Sequence, residues 1–133
     1  MCGIVGFVGR GNKGDLDRMV AKLAHRGPDN GDTFIDTDRD VYLGHRRLKV
    51  VDISGGGQPM KTPDSKFIVT YNGEIYNAGL LRKELESYGC EFATDHSDTE
   101  VLLHGYKVWG SGLVSKLNGM WAFAIYDKEK KSL

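Results

Sequence analysis

The sequence is short of several features that identify whole classes of protein. It has 133 residues, only two cysteines, and a formal net charge of zero from 18 basic and 18 acidic side chains. Two cysteines, Cys2 and Cys90, are too few for a disulfide framework and favour a reducing, cytoplasmic setting. The balance of charge gives no reason to expect a nucleic-acid or membrane partner.

Long apolar runs and clustered metal ligands are also missing. The apolar stretch at positions 4–8 is too short for a membrane span or a signal sequence, and no basic segment precedes it. The four histidines are scattered and form no zinc-like pattern with cysteine. We therefore expect one domain over residues 1–133, with no metal and no cofactor bound to this chain.

Strand and helix patterns alternate along the chain. Apolar runs predict strands at 4–8, 41–43, 48–53, 67–71 and 120–126. Apolar residues at helical spacing predict a helix capped by Asp15 and ending by Gly27, a second capped by Asn77, a third from Ser97, and a short helix at 113–117. Residues 127–132 predict a hairpin turn that no strand follows, so we expect a chain truncated at its C-terminal side.

Cys2 is the most informative residue for function. If Met1 is removed, a thiol and a free α-amine belong to the same residue, and an amine of this kind is a known base for an N-terminal nucleophile. The reference pKa is about 7.7–8.0 for the amine and about 8.5 for the thiol, so proton transfer near neutral pH is feasible. The alternative is a small buried apolar side chain, which is the usual role of a free cysteine.

Two basic segments have both a structural and a functional interpretation. The run from His25 to Asp29 is typical of a turn after a helix, although Arg26 could brace a site. Arg46 and Arg47 begin a strand, where arginines are usually solvated surface charges. A guanidinium at a strand end also binds an α-carboxylate through paired N–H bonds.

Two polar segments are similarly open. Asn72-Gly73 is first of all a turn signal, but the Asn72 amide and the Gly73 N–H would also make an oxyanion hole. Glu74 would then meet a substrate ammonium. Asp98 in the first turn of a helix complements the helix dipole, and it would also bind the α-ammonium of an amino acid. The remaining cysteine and the four histidines are interpreted as structural: Cys90, His25, His45, His96 and His104.

Taken together, these segments resemble the glutaminase domain of glutamine-hydrolysing asparagine synthetases, a class II glutamine amidotransferase. Their order and approximate spacing match along essentially the whole chain, and the combination is specific although no single motif is. The resemblance rests on the segments 2–6, 25–29, 46–52, 71–77, 97–100 and 117–123. It implies an α+β fold, the αββα sandwich of the N-terminal nucleophile (Ntn) hydrolases, incomplete at its C-terminus.

The resemblance also implies catalytic roles and a reaction. Cys2 would be the nucleophile and its α-amine the base, with Asn72 and Gly73 as the oxyanion hole. Glutamine would be hydrolysed to glutamate and ammonia through a γ-glutamyl thioester on Cys2. The ammonia would supply a synthetase domain, absent from this chain, that uses ATP and magnesium to amidate a carboxylate such as aspartate.

The implied substrate-binding residues suit an amino-acid zwitterion. Arg47 would hold the glutamine carboxylate, Val51 would offer backbone contacts, and Glu74 and Asp98 would hold the ammonium. Two alternatives stay open: a non-catalytic docking or structural unit with the same fold, and a thiol hydrolase acting on another amide. Self-association into a homodimer is a further expectation for a chain with an incomplete sheet.

Overall fold

Strands and helices contribute about equally to the part of the chain that the computed structural model describes, residues 2–48 and 57–133. The strands are β1 (Gly3–Val8), β2 (Asn30–Asp36), β3 (Val41–Arg47), β4 (Met60–Lys61), β5 (Phe67–Ile75) and β6 (Gly119–Asp127). The helices are α1 (Lys13–Lys22), α2 (Ala78–Ser87), α3 (Asp98–Trp109) and a 3-10 helix at Gly110–Lys116. Within these residues, no helix is both long enough and apolar enough to cross a membrane.

The strands form two antiparallel sheets. The first has the order β1-β3-β2 and the second the order β4-β5-β6. In the first sheet Gly3 pairs with Arg46, so the chain start lies beside the end of β3. In the second sheet β6 pairs along the whole of β5, whereas β4 pairs only with Ile68 and Val69. Among residues 2–48 and 57–133, no strand pairs with this edge of β5 beyond Val69.

The two sheets pack face to face between helices. Leu16 and Val20 of α1 pack against Tyr42 on the outer face of the first sheet. Two further groups of residues complete the layers, because side chains alternate between the faces of a strand. Val41, Leu43, Ile68 and Tyr126 fill the space between the sheets, while Phe67, Val69, Tyr71, Leu85 and Leu102 join the outer face of the second sheet to α2 and α3. The result is the expected αββα order of layers.

Two hydrogen bonds fasten the sheets to each other near their centres. The Thr70 hydroxyl donates to the Gly44 carbonyl oxygen at 3.2 Å. The Nε2 atom of His45 lies 3.0 Å from the Tyr71 carbonyl oxygen. A carbonyl oxygen can only accept, so Nε2 carries the hydrogen. His45, predicted to be structural, is 1% exposed and does join the two sheets.

The predicted helix starts are partly wrong. Asn12, not Asp15, is the N-cap of α1, and Asp15 is the third residue of a capping box, bonded to the Asn12 backbone. Asn77 is the N-cap of α2, but its side chain binds the backbone of Lys116 and Asn118 instead of the helix. Side chains at helix starts here serve tertiary contacts as often as caps.

The capping box predicted at the start of α3 does not form. Ser97 stands at the N-cap position without a side-chain cap bond. The Glu100 carboxylate instead accepts hydrogen bonds from the backbone N–H groups of Ala93 and Thr94, at 2.7 and 2.9 Å. Glu100 therefore organises the loop that leads into α3.

The turn predicted at Asn72-Gly73 is also wrong. Both residues lie inside β5, where Gly73 pairs with Trp121. A side chain at position 73 would place its Cβ 2.3 Å from the Met120 carbonyl oxygen, so this pairing requires glycine. The turn predicted at 127–132 is confirmed by reciprocal backbone hydrogen bonds between Asp127 and Ser132.

Candidate active site

Cys2 lies at the start of β1, against the chain that leaves β3. Its Sγ is 3.4 Å from the Leu48 backbone nitrogen and 3.5 Å from the Leu48 carbonyl oxygen. Val5 and Phe7 of β1 pack toward α1, so alternation turns the Cys2 side chain to the opposite face, toward the second sheet. The Arg26 guanidinium donates to the Cys2 carbonyl oxygen at 3.1 Å, which supports the bracing role anticipated for Arg26.

The turn that carries Arg26 is held against the end of β3. A Cβ on Gly27 would lie 2.3 Å from the Arg46 carbonyl carbon and 2.5 Å from the Arg47 nitrogen, so only glycine permits this approach. The Asp29 N–H also donates to the Arg47 carbonyl oxygen at 3.0 Å. The turn is therefore held in one position beside Cys2.

Arg46 and Arg47 point to opposite faces of the first sheet and differ in role. Arg47 is 8% exposed, which contradicts its interpretation as a solvated surface charge. It shares the face of Val41, Leu43 and His45, which looks toward the second sheet. Cys2 and Arg47 therefore lie on the same face at the same end of neighbouring strands.

Asn72 and Gly73 approach this face from β5. Asn72 has the parity of Ile68 and Thr70, whose side chains point to the first sheet, so the Asn72 amide points the same way. The neighbouring N–H groups fix the direction of the Gly73 N–H. Those of Tyr71 and Ile75 donate to side chains at the edge of β5 opposite β6, and N–H groups two residues apart in a strand point the same way. The Gly73 N–H therefore points to the edge of β5 opposite β6.

Asp98 closes the same edge of β5 from the N-terminus of α3. Its Oδ2 accepts the Tyr71 hydroxyl at 2.7 Å and the Ile75 N–H at 3.1 Å. Burial, followed by the hydrogen bond and the charge of Asp98, raises the pKa of Tyr71, and charge on Glu74 and Cys2 adds to the effect. The Tyr71 phenol is therefore neutral, and it lies close enough to Asp98, Glu74 and Cys2 for their charges to act on it.

Glu74 and Val51 complete the predicted set of site residues. Glu74 is exposed, on β5 between Gly73 and Ile75, and shares the parity of Asn72. Val51, Met1 and most of the strand predicted at 48–53 lie outside the described residues. Of the seven predicted site residues, the structure thus describes six: Cys2 just before β1, Arg47 at the end of β3, Asn72, Gly73 and Glu74 on β5, and Asp98 at the start of α3.

Sequence reasoning missed the polar residues that hold this arrangement. Gln58 accepts the Tyr71 N–H at 2.6 Å and donates to the Thr99 hydroxyl at 3.3 Å, so one amide links β5 to α3. Tyr71 was predicted as the end of an apolar strand and as the first residue of the 71–77 segment, with no role of its own at the site. Its position next to Asn72 was the available signal, while Gln58 offered none because its partners are 13 and 41 residues away.

Two further features lie outside this set. A cavity of about 390 Å³ is lined by residues of β4 and its flanking chain, the 93–94 loop and α3, among them Thr62, Glu100 and His104. None of the six described site residues lines it. Among residues 2–48 and 57–133, no group of three or more His, Cys, Asp or Glu side chains is placed to hold a metal ion. Cys90 packs beside the core cluster on α2 and α3, in the structural position expected for it.

Comparison with known proteins gives a consistent result. A family model described as a glutamine amidotransferase domain matches residues 1–133. Two asparagine synthetases (glutamine-hydrolyzing) illustrate the similarity. Asparagine synthetase (glutamine-hydrolyzing) 3 of Bacillus subtilis (strain 168) is 44% identical to this chain, over 100% of this chain and 22% of that protein. Asparagine synthetase (glutamine-hydrolyzing) 2 of Oryza sativa subsp. japonica is 38% identical, over 99% of this chain and 22% of that protein. The chain thus spans about a fifth of the length of these relatives.

A solved structure agrees with the layered fold. Glutamine phosphoribosylpyrophosphate amidotransferase from B. subtilis, complexed with ADP and GMP, is 28% identical with a TM-score of 0.52. The match covers 68% of this chain and 22% of that one. This likeness confirms the expected Ntn α+β fold.

Proposed function

Because the chain belongs to the glutamine amidotransferase domain family, we propose that it hydrolyses glutamine to glutamate and ammonia with Cys2 as the nucleophile. The observation that carries this proposal is that the two sheets turn these candidate groups toward each other. The Cys2 side chain, just before β1, points toward the second sheet and the Asn72 amide on β5 points toward the first, while the His45–Tyr71 hydrogen bond joins the two sheets. A nucleophile opposite two preorganised donors is the arrangement that acyl transfer needs.

The proposed substrate contacts follow from charge and position. Arg47, buried on the face shared with Cys2, offers a guanidinium for paired bonds to the glutamine carboxylate. Asp98 and Glu74 offer carboxylates for the ammonium. Asp98 lies at the edge of β5 to which the Gly73 N–H points, and Glu74 is a residue of β5 itself. These charges select an amino acid over a simple amide. Val51 would add backbone contacts.

The proposed reaction has two halves. Removal of Met1 frees the Cys2 amine, which takes the thiol proton while sulfur bonds to the side-chain amide carbon. Asn72 and Gly73 bind the oxyanion, and the protonated amine returns its proton as the C–N bond breaks and ammonia leaves. Water, deprotonated by the same amine, then attacks the γ-glutamyl thioester, giving glutamate and the free thiol.

We further propose a destination for the ammonia. Relatives of about five times this length are named asparagine synthetases, so the ammonia would pass to a synthetase domain. That domain would use ATP and magnesium to amidate a carboxylate such as aspartate. No cofactor is needed for the thiol chemistry proposed here, since the nucleophile and its base both belong to Cys2.

Intact-mass spectrometry of the chain with a diazoketone analogue of glutamine tests the proposal. The expected result is loss of Met1 and one adduct, located on Cys2 by peptide mapping and prevented by excess glutamine. Cys90 is the internal control, because burial raises the pKa of its thiol and leaves less of the reactive thiolate. A Cys2→Ser chain should take up no label.

Three outcomes would contradict the proposal. An adduct on Cys90 instead of Cys2 would show that the analogue reacts without a glutamine site. Labelling that glutamine does not compete would assign the thiol to another amide. A processed chain that stays unlabelled would favour the non-catalytic unit with the same fold.

A further inference from the structure

Tyr71 holds the Asp98 carboxylate in one orientation at the edge of β5 opposite β6. The Tyr71 hydroxyl and the Ile75 N–H both bind Oδ2 of Asp98, at 2.7 and 3.1 Å. Two donors on one oxygen turn the other oxygen toward a further partner. We propose that Tyr71 is a positioning residue that aims Asp98 at the α-ammonium of glutamine and so sets the preference for an amino-acid amide. This inference rests on the function proposed above.

Tyr71 is itself fixed at each of its polar groups. Its N–H donates to Gln58 Oε1 at 2.6 Å, its carbonyl oxygen accepts from His45 Nε2 at 3.0 Å, and its side chain is 3% exposed. Gln58 also binds the hydroxyl of Thr99, the residue after Asp98. The hydroxyl and the carboxylate are thus tied together by two independent routes, which leaves the hydroxyl little freedom to move.

A phenol is suited to this task because it orients the carboxylate without cancelling its charge. Burial and the Asp98 hydrogen bond raise the Tyr71 pKa, so the donor stays neutral at physiological pH. An arginine or lysine in the same place would form an ion pair, as Lys13 does with Asp17 on α1. Asp98 therefore keeps its net negative charge for an incoming cation.

The competing explanation is purely structural. In that case the Tyr71–Asp98 bond only joins β5 to α3, and its loss would weaken binding of every ligand alike. The two explanations differ for glutaric acid monoamide, which has the amide and the carboxylate of glutamine but no ammonium. Only an aimed Asp98 would distinguish the two compounds.

The test compares the Kd values of glutamine and glutaric acid monoamide by calorimetric titration, in a Cys2→Ala chain that cannot turn them over. We expect Tyr71→Phe to weaken glutamine binding about tenfold or more, since hydrogen bonds to charged groups have about this effect. Binding of the monoamide should not change. In an Asp98→Asn chain, Tyr71→Phe should add no further loss of glutamine affinity, because the two changes remove the same interaction.

Tyr42→Phe is the matched control. Tyr42 is a buried tyrosine of the first sheet whose hydroxyl donates to the Gly11 carbonyl oxygen at 3.1 Å. The Tyr42→Phe substitution should leave the ratio of the Kd values of glutamine and the monoamide unchanged. A second variant, with 3-fluorotyrosine at position 71, keeps the ring in place and serves if Tyr71→Phe does not fold. Its more acidic hydroxyl donates a stronger hydrogen bond and holds the Asp98 carboxylate more firmly, so the preference for glutamine should rise.

The outcomes separate this inference from the proposed function. Equal losses for both ligands in Tyr71→Phe, or an unchanged preference with 3-fluorotyrosine, would overturn the positioning role. If Asp98→Asn itself leaves the preference unchanged, or if the parent chain does not bind glutamine, the fault lies with the proposed function and its assignment of Asp98.

Discussion

Acid should destabilise this protein through His45, the histidine buried between the two sheets. Burial lowers its pKa from 6.5 to about 4, although the hydrogen bond to Tyr71 acts in the opposite direction, and the charge of Arg47 lowers it further. An unfolded chain restores the ordinary value. Between these two pKa values the unfolded state binds a proton that the folded state does not, so stability is complete above about pH 6.5 and falls as the pH drops toward about 4.

The size of this effect follows from the difference between the two pKa values. About 2.5 pH units at about 1.4 kcal/mol per unit correspond to about 3 kcal/mol. That is a large share of a typical total stability of about 5–15 kcal/mol. His104 acts with the same sign, because burial also lowers its pKa despite the opposing charge of Glu100.

Urea unfolding at about pH 7.5 and about pH 4.5 measures the effect. In His45→Gln the side-chain amide retains a donor for the Tyr71 carbonyl oxygen but does not titrate, while His104 is unchanged. We expect the original chain to lose about 2–3 kcal/mol more than His45→Gln between the two pH values. Equal losses, or an NMR titration of His45 with a midpoint near 6.5, would refute the reasoning.

Three further predictions concern catalysis, the core and the turn beside Cys2. Asn72→Ala should lower the rate of ammonia release from glutamine by about 10²–10³ with folding unchanged, and a smaller effect would remove Asn72 from the oxyanion hole. In urea unfolding, Leu85→Ala, at a fully buried position, should lower the free energy of unfolding by about 2–5 kcal/mol. Leu80→Ala, at a 71% exposed position of the same helix, should change it by less than about 0.5 kcal/mol, and similar values for the two variants would contradict the packing of α2. In thermal melts, Gly27→Ala should destabilise the protein by about 1–3 kcal/mol, because its Cβ clashes with the Arg46 backbone. Gly79→Ala, whose Cβ has open space, should stabilise the protein by about 0.4–1 kcal/mol. The reverse order would contradict the close packing of the turn on β3.

The sequence was most informative where local pattern and tertiary structure agree. Helical spacing in α2 and α3 and the apolar runs of β1, β5 and β6 predicted most of the elements, because each has one strongly apolar face. The short strand β4 and the polar strand β2 were missed. Their residues alternate poorly, and their pairing is decided by neighbours far along the chain.

Members of the candidate site could be proposed from the sequence, whereas the geometry around them could not. Cys2 and Asp98 could be proposed from their chemistry and position in the sequence. Asn72-Gly73 carried a strong local turn signal that the pairing with β6 overrides, so its strand conformation was not predictable locally. The bonds from Gln58 and His45 to Tyr71 connect residues 13 and 26 positions apart and appear only when the sheets are assembled.

The alternation of side chains along β5 separates two kinds of selection within one strand. Between positions 71 and 75, odd residues face α3 or press on β6, while the even residues, Asn72 and Glu74, point into the proposed site. In a mutational scan that records protein abundance and turnover separately, substitutions at 73 and 75 should lower abundance. Those at 72 and 74 should lower turnover at normal abundance. Side chains at alternate positions of this strand could then be changed to alter catalysis without loss of the fold.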